Sequence, residues 1–363
     1  MNSPLRKESV DLCSVTTEKA KEFVNFHNSY FGAERSVENW LWQYTAYRSD
    51  KAIFTGLRNG DTLIGTQGMM PILMNAGGEI TLSGKSENTL LLPAYRGQGL
   101  MEDLYDYAVE ICKARGFEFI WGFTEATKAF NTFGFKIAKM FQWFERPGSN
   151  FRLGASSRLK SHQPLSSRML ETAKYMVRYF TKIRKMALPE VDAGNRCRIL
   201  EGAIGTSEVK EFYERMRAKH PRLISLAYDE DFIQWRIGNH PFLKYRQYRV
   251  AEGARLKAYA FVAEKEGKAR IGDLTSEDKE SALVLLDRIT RDYSNNVASI
   301  LIPLNPWDVS ARETMEALRQ FSFSPLPPGN FVLRSLSKKK QYEDLSDASN
   351  WHINGLWTDG YWV

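Results

Sequence analysis

Residues 89–101, TLLLPAYRGQGLM, join a short apolar run to the start of an amphipathic helix. The two glycines of Arg96-Gly97-Gln98-Gly99 let the backbone turn tightly, because a glycine has no Cβ atom. The free N–H groups of the first helical turn then point at one spot, which the helix dipole makes positive. This arrangement suits a phosphate or pyrophosphate, and Arg96 adds a positive charge beside it. A glycine-rich turn that binds no ligand has the same residues, so both interpretations stay open.

The elements on either side of this turn would hold it in place. Three leucines at 90–92, stopped by Pro93, predict a short buried strand. Apolar residues then repeat at three and four positions from Leu100 to Ile111, which predicts a helix. The turn is neither a P-loop, because no Gly-Lys-Ser/Thr follows, nor a dinucleotide fingerprint, because Asp103 replaces the third glycine.

The longer stretch 83–135 resembles the GNAT acyltransferase superfamily. The family order is strand, Arg-Gly-x-Gly, long helix, strand, short helix and Gly-Phe. Here it reads SENTLLLP, YRGQG, LMEDLYDYAVEICKARG, FEFIWGF and ATKAFNTFGF. The resemblance implies that the turn binds the pyrophosphate of acetyl-coenzyme A and that the strand backbone binds its pantetheine arm. The residues implied are Arg96, Gly97, Gln98, Gly99 and Leu100 for the pyrophosphate, and Leu90, Leu91 and Leu92 for the pantetheine.

Two positions depart from the family pattern. Ala94 stands where the family often has Gln or Arg. Phe130 stands where many members carry the Tyr that protonates the leaving thiolate. The general acid is therefore absent or supplied from elsewhere.

Acyl transfer to an amine needs a held thioester, a polarised carbonyl and a base for the amine. Glu87, just before the apolar run, is the first candidate base, and an exposed strand-end carboxylate is the competing interpretation. Glu125 follows the next strand, where it would orient the pantetheine or the amine, or cap the following helix. Some tandem GNAT proteins of the aminoglycoside-acetylating type use the terminal carboxylate in catalysis. By that resemblance, Val363 would do so here.

Composition predicts a cytoplasmic protein with a large core. The 363 residues suffice for two domains, and 43% of them are hydrophobic. No apolar run approaches the roughly 20 residues that span a bilayer, and the first residues lack the apolar core of a signal peptide. Three cysteines without CxxC spacing (Cys13, Cys112, Cys197) suggest buried thiols. The five scattered histidines have no metal-ligand spacing, so no metal is expected.

The net charge of +7 is concentrated in one segment. Residues 147–187 hold nine Lys or Arg and one acid, Glu171, so the rest of the chain is nearly neutral and indicates no nucleic-acid surface. A helix predicted over 166–186 carries many of these charges. It is either a linker packed on a domain or an amphipathic helix lying on the inner membrane face.

The second half repeats the pattern of the first. The segment 36–44, SVENWLWQY, is echoed by 228–237, YDEDFIQWRI, which predicts a helix over 229–238. The second copy has GDLTSEDKES in place of the phosphate loop, and its acids would repel a pyrophosphate. We therefore expect an α/β (α+β) fold of two GNAT-like domains in tandem, with mixed, mostly antiparallel sheets flanked by helices and a degenerate second copy.

The expected domains are a catalytic domain (1–146), a basic linker helix (147–194), a degenerate domain (195–336) and an aromatic tail (337–363). Three Trp lie in the twelve residues 351–362 of this tail. They either dock in an apolar groove or reach the active site.

The predicted activity is transfer of an acetyl or short acyl group from acyl-coenzyme A to a primary amine of a small molecule. The resemblance suggests an amino sugar of surface polysaccharide synthesis or an aminoglycoside-like compound. An aminoacyl-tRNA-dependent transferase of the peptidoglycan-bridge type is an alternative that the basic segment favours and the intact pyrophosphate loop opposes. A non-catalytic binding module, marked by Phe130, is another.

Overall fold

The computed structural model describes residues 10–12, 16–32, 34–149, 198–338 and 345–358. The first half contains β1 (Val10–Leu12), α1 (Thr17–Phe31), α2 (Val37–Thr45), β2 (Ile53–Asn59), β3 (Thr62–Ala76), β4 (Glu79–Leu91), α3 (Leu100–Ala114), β5 (Phe119–Phe123), α4 (Thr127–Thr132) and β6 (Lys136–Pro147). Thr16 and Ser36 cap α1 and α2, because each hydroxyl accepts a backbone N–H of the first turn. The order of strand, long helix, strand and short helix expected over residues 83–135 is confirmed by β4, α3, β5 and α4.

The second half repeats this order. It contains β7 (Arg198–Glu201), α5 (Thr206–Lys219), β8 (Ser225–Leu226), α6 (Glu230–Ile233), β9 (Tyr245–Glu252), β10 (Arg255–Lys265), β11 (Lys268–Ser276), α7 (Lys279–Tyr293), β12 (Ser299–Leu304), α8 (Arg312–Gln320), β13 (Ser324–Pro325) and β14 (Gly329–Ser335). The helix predicted over 229–238 is α-helical only as far as Ile233, and a π-helical turn continues to Gly238.

One mixed sheet runs through both halves. Its order is β1-β2-β3-β4-β5-β14-β6-β12-β11-β10-β9-β7. The last strand of the second half, β14, therefore lies between β5 and β6 of the first half. In return, residues 142–147 of β6 pair with β12 of the second half. The two halves thus exchange strands, and the sheet is continuous across the predicted boundary at residue 146.

The aromatic tail packs into the core that joins the halves. Trp351 and Trp357 are buried, and the ring centroids of Trp357 and Trp121 lie 4.9 Å apart. The Ile224 N–H donates to the Asn350 carbonyl at 2.6 Å, which fixes the tail to the second half. The docked interpretation is confirmed for residues 345–358.

Several predictions concern segments outside the described residues. They include the basic helix 166–186 with its membrane contact, and two of the cysteines. Cys112 is buried as expected, and burial raises the pKa of its thiol to about 12. In the part of the chain that the structure describes, no helix is both long and apolar enough to cross a membrane. The same part contains no group of three His, Cys, Asp or Glu placed to hold a metal.

Candidate active site

The centre of the site is a separation between two parallel strands. Among the described residues, β4 and β5 pair only through Ser83–Lys85 and Phe119–Trp121. Beyond Lys85 the strands diverge, and a cavity of about 510 Å³ lies along the freed end of β4. Its lining comes from the end of α1, the end of β4, the glycine loop, the start of α3 and helix α4. These residues are Tyr30, Phe31, Thr89, Leu90, Leu91, Arg96, Gly97, Gly99, Leu100, Met101, Glu102, Ala126, Ala129, Phe130 and Phe133.

A β-bulge interrupts β4 beside this cavity. Gly68 pairs with Glu87 and Thr66 with Leu90, so Gln67 of β3 faces both Asn88 and Thr89. Asn88 has a φ of 53°, in the left-handed region that Asn tolerates better than most residues. A bulge of this kind changes the direction in which the backbone and side-chain groups of its strand point.

Side chains from three elements fix Asn88. Its side-chain oxygen accepts from Arg35 Nη1 at 2.7 Å, and its Nδ2 donates to the Tyr44 hydroxyl at 2.6 Å. Its carbonyl accepts from the Thr66 hydroxyl at 2.7 Å, which in turn contacts His27 Nε2 at 2.9 Å. Helices α1 and α2 therefore determine the shape of the bulge.

A second set of polar groups holds Thr89 from the opposite face. The Thr89 hydroxyl donates to Gln67 Oε1 and lies 3.0 Å from the Tyr105 hydroxyl of α3. Tyr105 also lies 2.7 Å from Ser86 Oγ, and burial raises the pKa of its phenol. The ring of Phe130 packs edge-on against Tyr105 with centroids 5.6 Å apart. A phenol thus lies behind Phe130, the position where many family members carry a Tyr.

The glycine loop presents a row of backbone donors to the cavity. Gly97 and Gly99 have φ of 75° and 78°, and Gly99 is the N-cap of α3. Within the described residues, none of the N–H groups from Gly97 to Glu102 donates to a protein acceptor. Because these orphan donors lie at a helix N-terminus, they suit a phosphate.

Arg96 is held at the mouth of the cavity by its own chain. Its Nε donates to the Leu91 carbonyl at 3.0 Å, and its Nη2 donates to the Tyr30 hydroxyl at 2.6 Å. Gln98 is exposed and donates weakly to the Ala94 carbonyl at 3.3 Å, so the contribution of this loop position is its backbone.

The three leucines differ in what they present. The Leu92 N–H donates to Ile64 of β3 at 2.9 Å. Alternate residues of an antiparallel strand turn their N–H groups to opposite edges, so Leu91 turns its N–H toward the edge that β5 has left. Leu90 is 3% exposed, and it lines the cavity. A pantetheine contact through the backbone stays a prediction, and Leu91 is the residue best placed to make it.

The candidate base Glu87 precedes the bulge and forms an ion pair with Lys85. The Lys85 side chain is fully buried, whereas the Glu87 side chain is 22% exposed. Glu87 is therefore a partly accessible carboxylate at the strand separation.

The remaining predicted site residues are less constrained. Glu125 is exposed just after β5, next to Ala126 of the cavity wall. It does not cap α4, because Ala126 is the N-cap. Val363 lies outside the described residues. The catalytic roles of these residues and of Glu87 stay predictions.

Sequence reasoning missed the residues that shape the bulge. Arg35 and Tyr44 carry no motif, and they reach Asn88 from 53 and 44 residues away. A signal was present at Asn88 itself, since Asn inside a strand favours an irregular backbone.

The equivalent region of the second half is filled. There β11 pairs in parallel with β12 through Lys268–Arg270, and its register shifts at Gly272. A Cβ on Gly272 would lie 3.0 Å from Leu356 Cδ2, so the tail packs directly against this backbone. Asp273 is buried beneath the hydroxyls of Tyr228 and Tyr259. The second copy keeps the strand pattern, but its described residues 272–281, which join β11 to α7, form no comparable glycine loop.

Comparisons with known proteins agree with this geometry. The sequence pattern of the acetyltransferase (GNAT) domain matches residues 12–138. No curated protein matches the chain in sequence. A GCN5-related N-acetyltransferase from Kribbella flavida is similar in structure, with a TM-score of 0.60 and 12% identity over 91% of this chain and 72% of that one.

Two further solved structures resemble the whole chain. A tandem GNAT protein from the clavulanic acid biosynthesis pathway has a TM-score of 0.53 and 12% identity over 91% of this chain and 99% of its own. Saccharomyces cerevisiae N-myristoyltransferase with bound myristoyl-CoA has a TM-score of 0.53 and 12% identity over 94% and 86%. Residues 12–138 therefore match the GNAT acetyltransferase domain in sequence, and the chain as a whole has the fold of a tandem GNAT protein.

Proposed function

We propose that the protein transfers an acetyl or other short acyl group from acyl-coenzyme A to a primary amine of a small molecule. The observation that carries the proposal is the loop from Gly97 to Glu102, most of which lines the cavity along the end of β4 and whose N–H groups have no protein acceptor among the described residues. The row suits the pyrophosphate, and the apolar cavity suits the pantetheine arm.

We assign roles to residues in order from the glycine loop, along β4, to the bulge. The loop holds the pyrophosphate, and the pantetheine runs along Leu91 toward the bulge. There a backbone N–H of β4 polarises the thioester carbonyl. Glu87 accepts a proton from the amine as it attacks, the carbon–sulfur bond breaks, and the thiolate leaves with coenzyme A. Behind Phe130, the Tyr105 hydroxyl lies 3.0 Å from the Thr89 hydroxyl, and either group carries a proton that could reach the thiolate.

The acceptor is proposed more narrowly as an amino sugar or an aminoglycoside-like amine. The support is the resemblance of the whole chain to tandem GNAT proteins. The aminoacyl-tRNA alternative depended on the basic segment, most of which lies outside the described residues. The cavity and its glycine loop favour a coenzyme A thioester.

Calorimetric titration with acetyl-coenzyme A tests the donor site. The Gly97→Val variant should lose binding by at least about tenfold, because a β-branched residue at φ 75° distorts the loop. Gly78→Val is the matched control. Gly78 has a φ of 84° and open space for a Cβ, and it lies in the distant turn between β3 and β4. Equal binding by wild type and the Gly97→Val variant, or no binding to any short acyl-coenzyme A, would contradict the proposal.

A further inference from the structure

Arg35 places a guanidinium at the bulge, between α1 and α2. Asn28 fixes its backbone, accepting from the Arg35 N–H at 3.1 Å and donating to the Arg35 carbonyl at 2.9 Å. The side chain contacts two neutral amides, Asn88 Oδ1 at 2.7 Å and Asn39 Oδ1 at 3.4 Å. A guanidinium has more N–H donors than these two contacts use.

The charge of Arg35 has no carboxylate partner among the described residues. The nearby carboxylate of Glu87 is paired with Lys85 instead. His27, which contacts Thr66 beside Asn88, supplies no negative charge. Its pKa is lowered to about 4 by burial and by the charge of Arg35, so it is neutral at pH 7. Arg35 is partly exposed, so its unused N–H donors can pair with an anionic ligand.

Arg35 is too far along the strand to serve the donor's pyrophosphate. It contacts Asn88, whereas the glycine loop begins beyond Leu92, about 13 Å further along an extended chain. The pyrophosphate and Arg35 therefore occupy opposite ends of the exposed segment of β4. Arg35 lies at the bulge, where it contacts Asn88. Asn88 directly follows the candidate base Glu87 in the chain.

The start of α2 lies beside Arg35. Arg35 directly precedes Ser36, the N-cap of this helix, whose dipole is positive at that end, and the carboxylate of Glu38 in the first turn opposes part of this field. The acceptor end of the site thus combines a carboxylate for the amine with an unpaired guanidinium.

We infer that the acceptor carries an anionic group, a carboxylate or a phosphate, on the same small molecule as its amine, and that Arg35 binds that group. The inference rests on the proposed acyl transfer and narrows its acceptor to an anionic amine, such as a phosphorylated amino sugar, which excludes the polycationic aminoglycosides. A planar guanidinium fork matches both anions in geometry. No covalent step involves Arg35, which selects and orients the acceptor.

The inference is tested by measuring the rate at which coenzyme A thiol is released from acetyl-coenzyme A, with matched pairs of amines as acceptors. The pairs are an amino acid and its amide, phosphoethanolamine and ethanolamine, and glucosamine 6-phosphate and glucosamine. The wild type should prefer the anionic member of at least one pair by about tenfold or more in kcat/KM. The pair that shows the preference distinguishes a carboxylate from a phosphate.

The Arg35→Gln variant should remove that preference through a higher KM for the anionic member. Arg291→Gln, an exposed change in the second half, is the control and should keep it. If Arg35→Gln lowers kcat equally for both members of a pair, Arg35 only supports the bulge and the inference fails. Preference for neutral amines also overturns it, as does a lack of turnover with either class by a protein that binds acetyl-coenzyme A. Failure of the protein to bind acetyl-coenzyme A would instead contradict the proposed function itself.

Discussion

Trp42 and Trp235 each donate the indole N–H to the other's backbone carbonyl, at 3.3 and 3.2 Å. They occupy equivalent positions, six residues after the helix N-caps Ser36 and Asp229. The reciprocal pair therefore joins equivalent positions of the two halves. Both side chains are buried, with ring centroids 5.6 Å apart.

This relationship predicts a coupled loss of stability. Trp42→Phe and Trp235→Phe should each lower the free energy of unfolding by about 1 kcal/mol, because each removes a buried hydrogen bond from an indole N–H to a backbone carbonyl. The loss of unfolding free energy in the double variant should differ from the sum of the losses in the two single variants, since the two residues are in contact. Urea unfolding measures all three. Trp307→Phe, at a side chain 63% exposed, is the control. Strict additivity would contradict the coupling.

The choice of base is tested by comparing Glu87→Gln with Glu125→Gln. Glu87 lies beside the bulge with its carboxylate partly accessible, whereas Glu125 is exposed beyond β5. We expect Glu87→Gln to lower kcat by about a hundredfold or more, as loss of a general base does. The Kd for acetyl-coenzyme A should change little.

Stability must be measured alongside, because Glu87 is also an ionic partner of buried Lys85. A loss of kcat in a variant that still unfolds as cooperatively as the wild type assigns the effect to catalysis. A larger loss in Glu125→Gln would reverse the assignment.

Much of the donor site could be predicted from local sequence. The glycines at 97 and 99, the apolar run before them and the periodic helix after them lie within about 25 residues. Each signal reports backbone geometry at its own position. The structure accordingly places Gly97, Gly99, Leu100 and Arg96 on one cavity wall.

The acceptor side could not be predicted in the same way. Arg35, Tyr44 and Asn88 meet through packing of α1 and α2 on the sheet, and no local period encodes that meeting. The strand exchange also cannot be predicted from local sequence, because β14 and β5 have ordinary strand patterns and pair across about 200 residues. Partner choice among strands depends on tertiary packing.

Tyr105 should matter for both stability and turnover. In Tyr105→Phe, the hydroxyls of Ser86 and Thr89 lose their shared partner beneath the bulge. We expect a loss of about 1–2 kcal/mol in unfolding free energy and a lower kcat. Because burial raises the pKa of Tyr105, its ionisation should not appear in the pH–rate profile at neutral pH. A variant with wild-type stability and kcat would show that the bulge does not need this phenol.

His27 should make the folded state sensitive to acid. Burial and the charge of Arg35 lower the pKa of His27 from 6.5 to about 4. In the unfolded chain, His27 takes up a proton below about pH 6.5, whereas the folded protein resists protonation until about pH 4. Its contribution to stability is therefore complete above pH 6.5 and falls as the pH drops, by about 3 kcal/mol at pH 4. His27→Gln, which keeps a polar group beside Thr66, should flatten this part of the curve. Urea unfolding from pH 7 to pH 4 measures both proteins, and the same slope in each would show that His27 is not the responsible group.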